Sequence, residues 1–212
     1  MGLREQKKEA LRNTLARNAI ALFQEHGYEN VSLDEIVAAS MCSRSTFHRY
    51  FGSKEDLLFP IAADQLTALE AALATAPRDA DPWRFARAAV TEGVAGFLDN
   101  MDPDLRADCI ALWFTESAPR KRYLEIVLEW EQVLSVYLEQ FLPPSDTREL
   151  ELHLMASSIT SALRATLDTA MATGQDVRML VDHAFDLIEA GVSANLLALR
   201  APHATPRARK SG

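Results

Sequence analysis

Residues 32–51 of the chain, SLDEIVAASMCSRSTFHRYF, decide its fold because they carry two helix starts in quick succession. Ser32 is followed three residues later by Glu35, a spacing that predicts a capping box and the start of a short helix. After a break of about three residues, Ser43 predicts the N-cap of a second short helix that runs through Tyr50. Two short capped helices joined by such a turn are typical of a helix-turn-helix unit, although short helix pairs also occur in purely structural bundles.

The rest of the chain is helical by its apolar periodicity, and no segment shows the alternation of a strand. Glycines, prolines and capping serines divide it into further helices. These are predicted at about 6–26, 53–74, 82–99, 103–116, 118–141, 145–173 and 176–199. We therefore predict an all-α protein with a three-helix helix-turn-helix domain at 1–52, a larger helical bundle at 53–199 and a disordered basic tail at 200–212.

The net charge of −8 is distributed unevenly along the chain. Residues 1–60 carry 8 basic and 8 acidic side chains, residues 61–199 carry 10 and 22, and residues 200–212 carry 4 and 0. Because an acidic body repels a phosphate backbone, only the neutral N-terminal part offers a folded surface that nucleic acid would approach.

The composition is that of a globular protein, with 48% hydrophobic and 25% charged residues. No apolar run approaches the length of a membrane-spanning helix, and the charged N-terminus carries no export signal. We therefore expect a cytoplasmic protein without membrane contact. Cys42 and Cys109 are too few for a disulfide framework and are expected to be free thiols.

The second short helix presents side chains that suit DNA. Phe47 is its only strongly apolar, inward residue. Its outer face is rich in hydrogen-bond donors, supplied by Arg44, Ser45, His48 and Arg49. Arginine donates two bonds to a guanine edge, and a hydroxyl reaches base or phosphate. No carboxylate occurs from 40 to 54, whereas a solvated structural face would more often include some. The pattern therefore favours a recognition helix.

The motifs of the first 60 residues resemble the DNA-binding domain of the TetR family of transcriptional regulators. The shared segments are 21–23, 27–28, 31–37, 43–51 and 53–58. The resemblance implies an all-α homodimer that dimerises through its last two long helices, at about 145–173 and 176–199. It also implies that a small-molecule effector bound in the larger domain releases a near-palindromic double-stranded DNA operator. The family's default is a repressor rather than an activator.

The resemblance also assigns DNA contacts to particular positions of the first domain. Arg44, Ser45 and Arg49 match base readers; Thr46, His48 and Tyr50 match contacts to phosphate or sugar; Ser32, Ser43 and Lys54 lie at helix N-termini, which favour phosphate. Structural alternatives stay open for four of them. These are capping alone for Ser32 and Ser43, packing between helices for the tyrosine, and an ordinary surface position for the lysine.

Two positions depart from the family pattern. Met41 stands in the turn where glycine is usual, so it either adopts a left-handed conformation at a cost or changes the turn. His48 stands where tyrosine is common, and a histidine differs from a tyrosine in its reach.

Candidates for an effector site lie between residues 82 and 171. They are the aromatic, sulfur-containing and isolated polar residues Trp83, Phe97, Cys109, Trp113, Phe114, Trp130, Met155, Arg164 and Met171. Such side chains at helical spacing mostly fill cores, so packing is the alternative for each. Arg164 stands among small and apolar residues, and it would meet an anionic ligand, pair with an acid of a second subunit, or face solvent.

The last two predicted helices are apolar on more than one face. A monomer buries only one stripe of each, so the excess favours a four-helix dimer interface over a wholly internal core. A dimer would also place two recognition helices one DNA turn apart.

Catalysis and metal binding receive little support from the sequence. Asp182, His183 and Asp186 lie close together on one helix, but no further ligand follows at motif spacing. Neither a Gly-rich phosphate loop nor a G-x-S-x-G elbow occurs, so we expect no enzyme, cofactor or metal. The remaining alternative is a helical small-molecule-binding protein without DNA function, which Met41 keeps open and salt-dependent DNA binding would test.

Overall fold

The computed structural model describes the backbone of residues 3–100 and 103–191, and the side chains of 10–96, 98–99 and 105–191. These residues form α-helices and two short 3-10 helices and contain no strand, which confirms the all-α prediction. The α-helices are α1 Leu3–His26, α2 Leu33–Ala39, α3 Arg44–His48, α4 Ala62–Ala74, α5 Pro82–Asn100, α6 Pro103–Thr115, α7 Ser117–Glu139, α8 Arg148–Thr173 and α9 Val177–Ala190. The last predicted helix, 176–199, is too long, since α9 ends at Ala190 where Gly191 adopts a φ of 83°. Residues 192–199 and the predicted tail at 200–212 lie outside the described residues.

The first three helices form a small bundle with Phe47 in its core. Phe47 of α3 is fully buried, as are Leu15 and Ile20 of α1 and Ile36 of α2. Gly27 ends α1 with a φ of 83°, a conformation that glycine adopts without strain. The chain then reverses through the 3-10 helix Tyr28–Asn30 and enters α2.

The prediction of one continuous helix over 53–74 is wrong in its first part. Glu55–Leu58 is a 3-10 helix, and α4 begins only at Ala62. Pro60 is the physical reason, because proline disfavours the helical conformation of the residue before it. Phe59 accordingly has φ −130° and ψ 51°.

The remaining helices form the larger bundle. α7 packs against α8, and α9 packs against α8 and α5. Its centre is filled by fully buried apolar side chains, among them Val90, Leu134, Ile159 and Phe185. None of the described helices combines the length and the apolar character of a membrane span.

The small bundle and the larger one are in direct contact. Gln24 of α1 donates a hydrogen bond to the Asp108 carboxylate of α6 at 2.6 Å, and Arg12 pairs with Asp64 of α4 at 2.8 Å. Leu57, at the junction, is fully buried and belongs to a core that continues from one bundle into the other. The junction is therefore a packed contact between side chains rather than a free linker.

Candidate nucleic-acid interface and bundle cavity

Two caps fix where α2 and α3 begin. The Ser32 hydroxyl accepts a hydrogen bond from the Glu35 N–H at 3.3 Å, and the Glu35 carboxylate accepts one from the Ser32 N–H at 2.7 Å. The Ser43 hydroxyl accepts from the Thr46 N–H at 3.0 Å. The predicted capping box and the second cap are thus both present. They satisfy N–H groups that a helix start leaves unpaired.

The turn between the two helices is left-handed at Met41. Its φ is 48°, and its side chain projects into solvent with 95% of its surface exposed. Of the two alternatives that the sequence leaves for this turn, the structure adopts the left-handed one, which costs about 1 kcal/mol for a residue other than glycine. Asn18 of α1 braces the turn by donating to the Ala39 carbonyl and the Ser40 hydroxyl, both at 3.1 Å.

α3 is shorter than predicted, since it ends at His48 instead of continuing through Tyr50. The chain leaves the helix because the N–H groups of Gly52 and Ser53 donate to the Asp56 carboxylate at 3.0 and 2.9 Å. These bonds start the next 3-10 helix and turn the chain back toward the bundle.

The outer face of α3 carries the predicted donors. The exposed residues are Ser43, Arg44, Ser45, His48 and Arg49, and the half-buried ones are Thr46 and Tyr50. Within the described part of the chain, the side chains of Ser45 and Arg49 form no hydrogen bond or ion pair. Their polar groups are therefore available to an external partner.

Arg44 is held by a residue that sequence reasoning passed over. Its Nε and Nη2 atoms donate to the two carboxylate oxygens of Asp34 at 2.5 and 2.6 Å. The hydrogen bond from Arg44 lowers the pKa of Asp34. Both side chains are exposed, so the pair lies on the surface where α2 meets α3. The feature of the sequence that points to this pair is the acidic residue at the second position of α2.

Lys54 is engaged inside the small bundle. Its ammonium donates to the carbonyls of Tyr28 at 2.8 Å and Val31 at 3.0 Å, and it lies 4.0 Å from the centre of the Tyr28 ring. Two of its three N–H donors are thus used to join the end of α3 to the start of α2. The Tyr28 hydroxyl donates to Glu55 at 2.5 Å, and burial together with this bond raises the pKa of Tyr28.

A second candidate site is a cavity of about 90 Å³ inside the larger bundle. It is lined by Phe59, Ala62, Gln65, Val94, Trp113, Tyr123, Ile126, Val127, Trp130, Thr160, Leu163 and Leu167. The lining contains no charged side chain. Burial raises the pKa of Tyr123 to about 12, so this residue is neutral at physiological pH. The cavity therefore suits an uncharged, largely apolar molecule.

Two of the sequence candidates, Trp113 and Trp130, line this cavity. The other described candidates lie elsewhere, because a helix of 3.6 residues per turn points neighbouring side chains in different directions. Trp83 donates to Glu189 of α9 at 3.1 Å. Phe114 packs on the outer side of Tyr123 with ring centres 5.5 Å apart. Cys109 is buried in the core, and burial raises the pKa of its thiol to about 12.

The last candidates lie on or near the surface. Met155 and Met171 are half-buried against the core, and Arg164 is exposed in a shallow hollow beside Leu124 and Leu128. The side chain of Phe97 lies outside the described residues. The cavity-lining residues that sequence reasoning missed are mostly ordinary aliphatic positions.

Several buried polar groups of the larger bundle have no hydrogen-bond partner among the described residues, and one of them belongs to a residue of the cavity wall, Trp130. The indole Nε1 of Trp130 is buried and makes no hydrogen bond within the described residues. The same ring lies 3.3 Å from the position that a Cβ on Gly93 would occupy. A buried donor without an acceptor costs free energy, so an acceptor atom supplied by a ligand would be favoured there.

The cavity wall is continuous with the small bundle. The Phe59 and Trp113 rings stack with centres 4.8 Å apart, and Trp113 Nε1 donates to the Leu58 carbonyl at 3.2 Å. Arg122, next to a wall residue on α7, donates to Asp56 at 2.8 Å. Asp56 is also the acceptor that ends the turn after α3. The cavity and the outer face of α3 are therefore linked by a short chain of contacts.

The two acidic residues of α9 that the sequence places close together pair with an arginine of another helix. Asp182 and Asp186 both pair with Arg87 of α5, at 3.2 and 3.1 Å. Over the described residues, no group of three or more histidine, cysteine or acidic side chains is placed to hold a metal ion. These carboxylates instead fasten α9 to α5.

A small helical bundle whose exposed short helix presents donors and no carboxylate is the architecture of helix-turn-helix DNA-binding proteins. Residues 15–61 match the family model described as bacterial regulatory proteins, tetR family. The N-terminal part of the chain is therefore similar to the TetR family of transcriptional regulators, in agreement with the resemblance that its motifs indicate.

A curated relative supports the same family. The chain is 39% identical over 82 residues to the HTH-type transcriptional regulator TcmR of Streptomyces glaucescens. The match covers 38% of this chain and 36% of TcmR, so it spans only about a third of that relative.

Solved structures extend the likeness to the fold of nearly the whole chain. A TetR-family regulator of Syntrophomonas wolfei has a TM-score of 0.59 at 16% identity, covering 93% of this chain and 100% of its own. The SmeT–triclosan complex has 0.56 at 17%, covering 84% and 90%. Thermus thermophilus FadR, a TetR-family repressor in complex with lauroyl-CoA, has 0.53 at 20%, covering 95% and 99%. At these identities the likeness shows the fold alone.

Proposed function

We propose that the protein is a dimeric transcriptional repressor that binds a near-palindromic operator and is released by a small-molecule effector. The observation that carries the proposal is the outer face of α3, where Ser45, His48 and Arg49 are exposed and free of carboxylates. This face stands on a fully buried anchor, Phe47, and on a capped first turn. A rigid, donor-rich helix of this kind fits the major groove.

The DNA contacts divide by the reach of each side chain. Arg44 and Ser45 on α3 and Arg49 at its C-cap are exposed and would read base edges. Thr46 and Tyr50 are half-buried and, together with the exposed His48, would contact phosphate or sugar. Ser32 and Ser43 cap their helices and would also meet phosphates at those N-termini. Lys54 retains one N–H donor for a phosphate, so its main role is to hold α3 in place.

A dimer would form through α8 and α9. Leu150 and Leu154 on α8 are 58% and 55% exposed, and Met179 on α9 is 52% exposed. Large apolar side chains exposed on neighbouring helices favour a partner surface over water. Two copies joined there would present two recognition helices about 34 Å apart, one turn of DNA.

The effector would occupy the bundle cavity as an uncharged, mainly apolar molecule with one hydrogen-bond acceptor for Trp130 Nε1. Two proteins of the same fold are complexes with triclosan and with lauroyl-CoA, which supports a small-molecule site in the helical part. The cavity of about 90 Å³ is smaller than the roughly 150 Å³ that holds benzene in an engineered apolar cavity. A larger effector would therefore displace the wall.

Release of the DNA would follow if the effector displaces the cavity wall that adjoins the small bundle. Phe59 belongs both to the cavity and to the segment that follows α3, and Trp113 ties the Leu58 carbonyl to α6. An effector that pushes this stack would shift the population toward dimers whose recognition helices no longer match successive major grooves.

The test is an unbiased selection of genomic DNA fragments by the purified protein at rising salt. Enrichment of one near-palindromic site, with affinity that falls steeply as salt rises, is the expected result. If no site is enriched at any salt, the DNA-binding role is wrong. The protein would then be the alternative, a helical small-molecule-binding protein without DNA function.

A further inference from the structure

The ion pair between α2 and α3 uses only one edge of the Arg44 guanidinium. A guanidinium carries five N–H donors arranged on two usable edges. Asp34 takes the edge formed by Nε and Nη2, with both bonds between 2.5 and 2.6 Å. The opposite edge, Nη1 with the second N–H of Nη2, keeps its fork of donors. That fork has the geometry that binds the O6 and N7 atoms of guanine.

We propose that Asp34 is a specificity-determining residue, which positions Arg44 so that its free edge selects guanine at one base pair of each operator half-site. The inference rests on the proposed DNA-binding function. An unheld arginine samples many rotamers and contacts phosphates as readily as bases, whereas a planar group fixed by two parallel bonds presents one edge in one direction.

The carboxylate has a second effect of opposite sign. Asp34 is an exposed negative charge beside the face that meets DNA, so it repels every phosphate backbone equally. It also neutralises the charge of Arg44, which would otherwise bind any sequence. Asp34 therefore lowers non-specific affinity while it raises discrimination at one position. A residue that served only to stabilise α2 would not raise the discrimination.

The experiment compares Asp34→Asn with Glu29→Gln in the full chain. Both substitutions remove one exposed negative charge from the small bundle and keep the side-chain shape. Glu29 forms no hydrogen bond or ion pair among the described residues, so it is the matched control. Each variant is put through the same fragment selection as the wild type. Its affinity is also measured for the selected operator, for the operator changed at each base pair in turn, and for unrelated DNA.

For Asp34→Asn we expect discrimination at one symmetric pair of guanine positions to fall about tenfold or more, with affinity for unrelated DNA equal to or above that of wild type. Arg44→Ala should lose preference at the same base pair, and the double variant should lose no more than the Arg44→Ala variant does. Glu29→Gln should leave the preferred sequence unchanged.

The outcomes separate the inference from the function on which it rests. If the wild type selects an operator and Asp34→Asn selects it with the same preference at every position, the role of Asp34 is wrong and the DNA-binding function stands. If Asp34→Asn raises the discrimination, the carboxylate competes with DNA for Arg44, and the proposal is overturned. If the wild type selects no DNA, the proposed function itself is wrong.

Discussion

The outer face of α3 and the bundle cavity are built by opposite means. On α3 the candidate contact residues are exposed, polar and contiguous along the chain, and a buried Phe47 holds them from behind. In the cavity the candidate residues are buried, mostly apolar and drawn from five helices and the segment before α4. The face of α3 is defined by the polar groups that its side chains present, whereas the cavity is defined by the space of about 90 Å³ that its side chains enclose.

This difference decides how each region responds to change. A substitution on the exposed face removes a contact and leaves the fold, because surface side chains of this kind contribute little to stability. A substitution at the cavity alters packing density and stability together with binding. Among the described residues, the two regions are joined by the stack of Phe59 on Trp113, the Trp113–Leu58 hydrogen bond and the Arg122–Asp56 pair. Variants that change one region and leave the other intact therefore test whether the two regions respond independently.

The largest expected effect is on the buried anchor of α3. Phe47→Ala should destabilise the small bundle by about 3–5 kcal/mol, because it removes a fully buried ring and leaves a cavity. Hydrogen exchange followed by mass spectrometry would show protection lost across α1 to α3 and retained in α7 and α8. Equal loss of protection in α7 and α8 would show that the two regions unfold as one unit. The two regions would then not differ in how a substitution affects their stability.

The next largest effect is on operator binding, with the fold left intact. Arg49→Ala should weaken operator binding roughly ten- to hundredfold, since it removes an exposed donor from the centre of the proposed contact face. The melting temperature should stay within about 2 °C of wild type, because the side chain is exposed and unpaired among the described residues. Fluorescence anisotropy with the selected operator would measure the loss.

Arg78→Ala is the matched control for Arg49→Ala, since Arg78 is an exposed arginine between α4 and α5. It should leave operator affinity unchanged. Equal weakening by both variants would mean that net charge rather than the α3 face controls binding.

Sequence reasoning was sufficient for most of the exposed region because its signals are local. A serine three residues before a glutamate makes a capping box whatever the rest of the chain does, and Ser32 and Glu35 form it. Arg44 was identified as exposed for the same reason. Its partner Asp34 was not, since the distance between them depends on how Met41 directs the turn. Local pattern predicts which groups are presented, and tertiary geometry decides how they are held.

Sequence reasoning was insufficient for the cavity because a lining residue and a core residue have the same composition and periodicity. Trp113 and Phe114 are adjacent aromatics on α6, yet only Trp113 lines the cavity. Their directions differ by about 100° around the helix, and which of these directions faces empty space depends on α4, α5, α7 and α8. The break before α4 comes from two local signals that conflict, since the cap at Ser53 favours the start of a helix and Pro60 interrupts it.

Two glycines on α5 sharpen the account of the cavity. A Cβ on Gly93 would lie 3.3 Å from the Trp130 ring, whereas a Cβ on Gly96 would meet nothing within 4 Å. Gly96→Ala should therefore stabilise the protein by about 1 kcal/mol through helix propensity alone. Gly93→Ala should gain less stability, since the Trp130 ring must shift by a few tenths of an ångström into the cavity.

Acetophenone, an uncharged ring with one carbonyl acceptor, is the probe for this pair. It should raise the melting temperature of the wild type and of Gly96→Ala, and it should raise that of Gly93→Ala less. Ethylbenzene, which lacks the acceptor, and benzoate, which is charged, should bind more weakly than acetophenone. A response to benzoate above the response to acetophenone would contradict the assignment of an uncharged, apolar site.

The smallest expected effect is at the turn that joins the two short helices. Met41→Gly should stabilise the protein by about 0.5 kcal/mol, because relief of about 1 kcal/mol of left-handed strain is partly offset by the greater entropy of glycine in the unfolded chain. Met41→Ala keeps the Cβ and therefore the strain, so it should show no gain, and chemical denaturation of both variants measures the difference. Asn18 holds the turn through Ala39 and Ser40 in every variant. The direction of α3 and the operator sequence selected should therefore be unchanged by Met41→Gly. A changed operator would show that the methionine sets the angle of the recognition helix, and the exposed face would then depend on tertiary geometry as much as the cavity does.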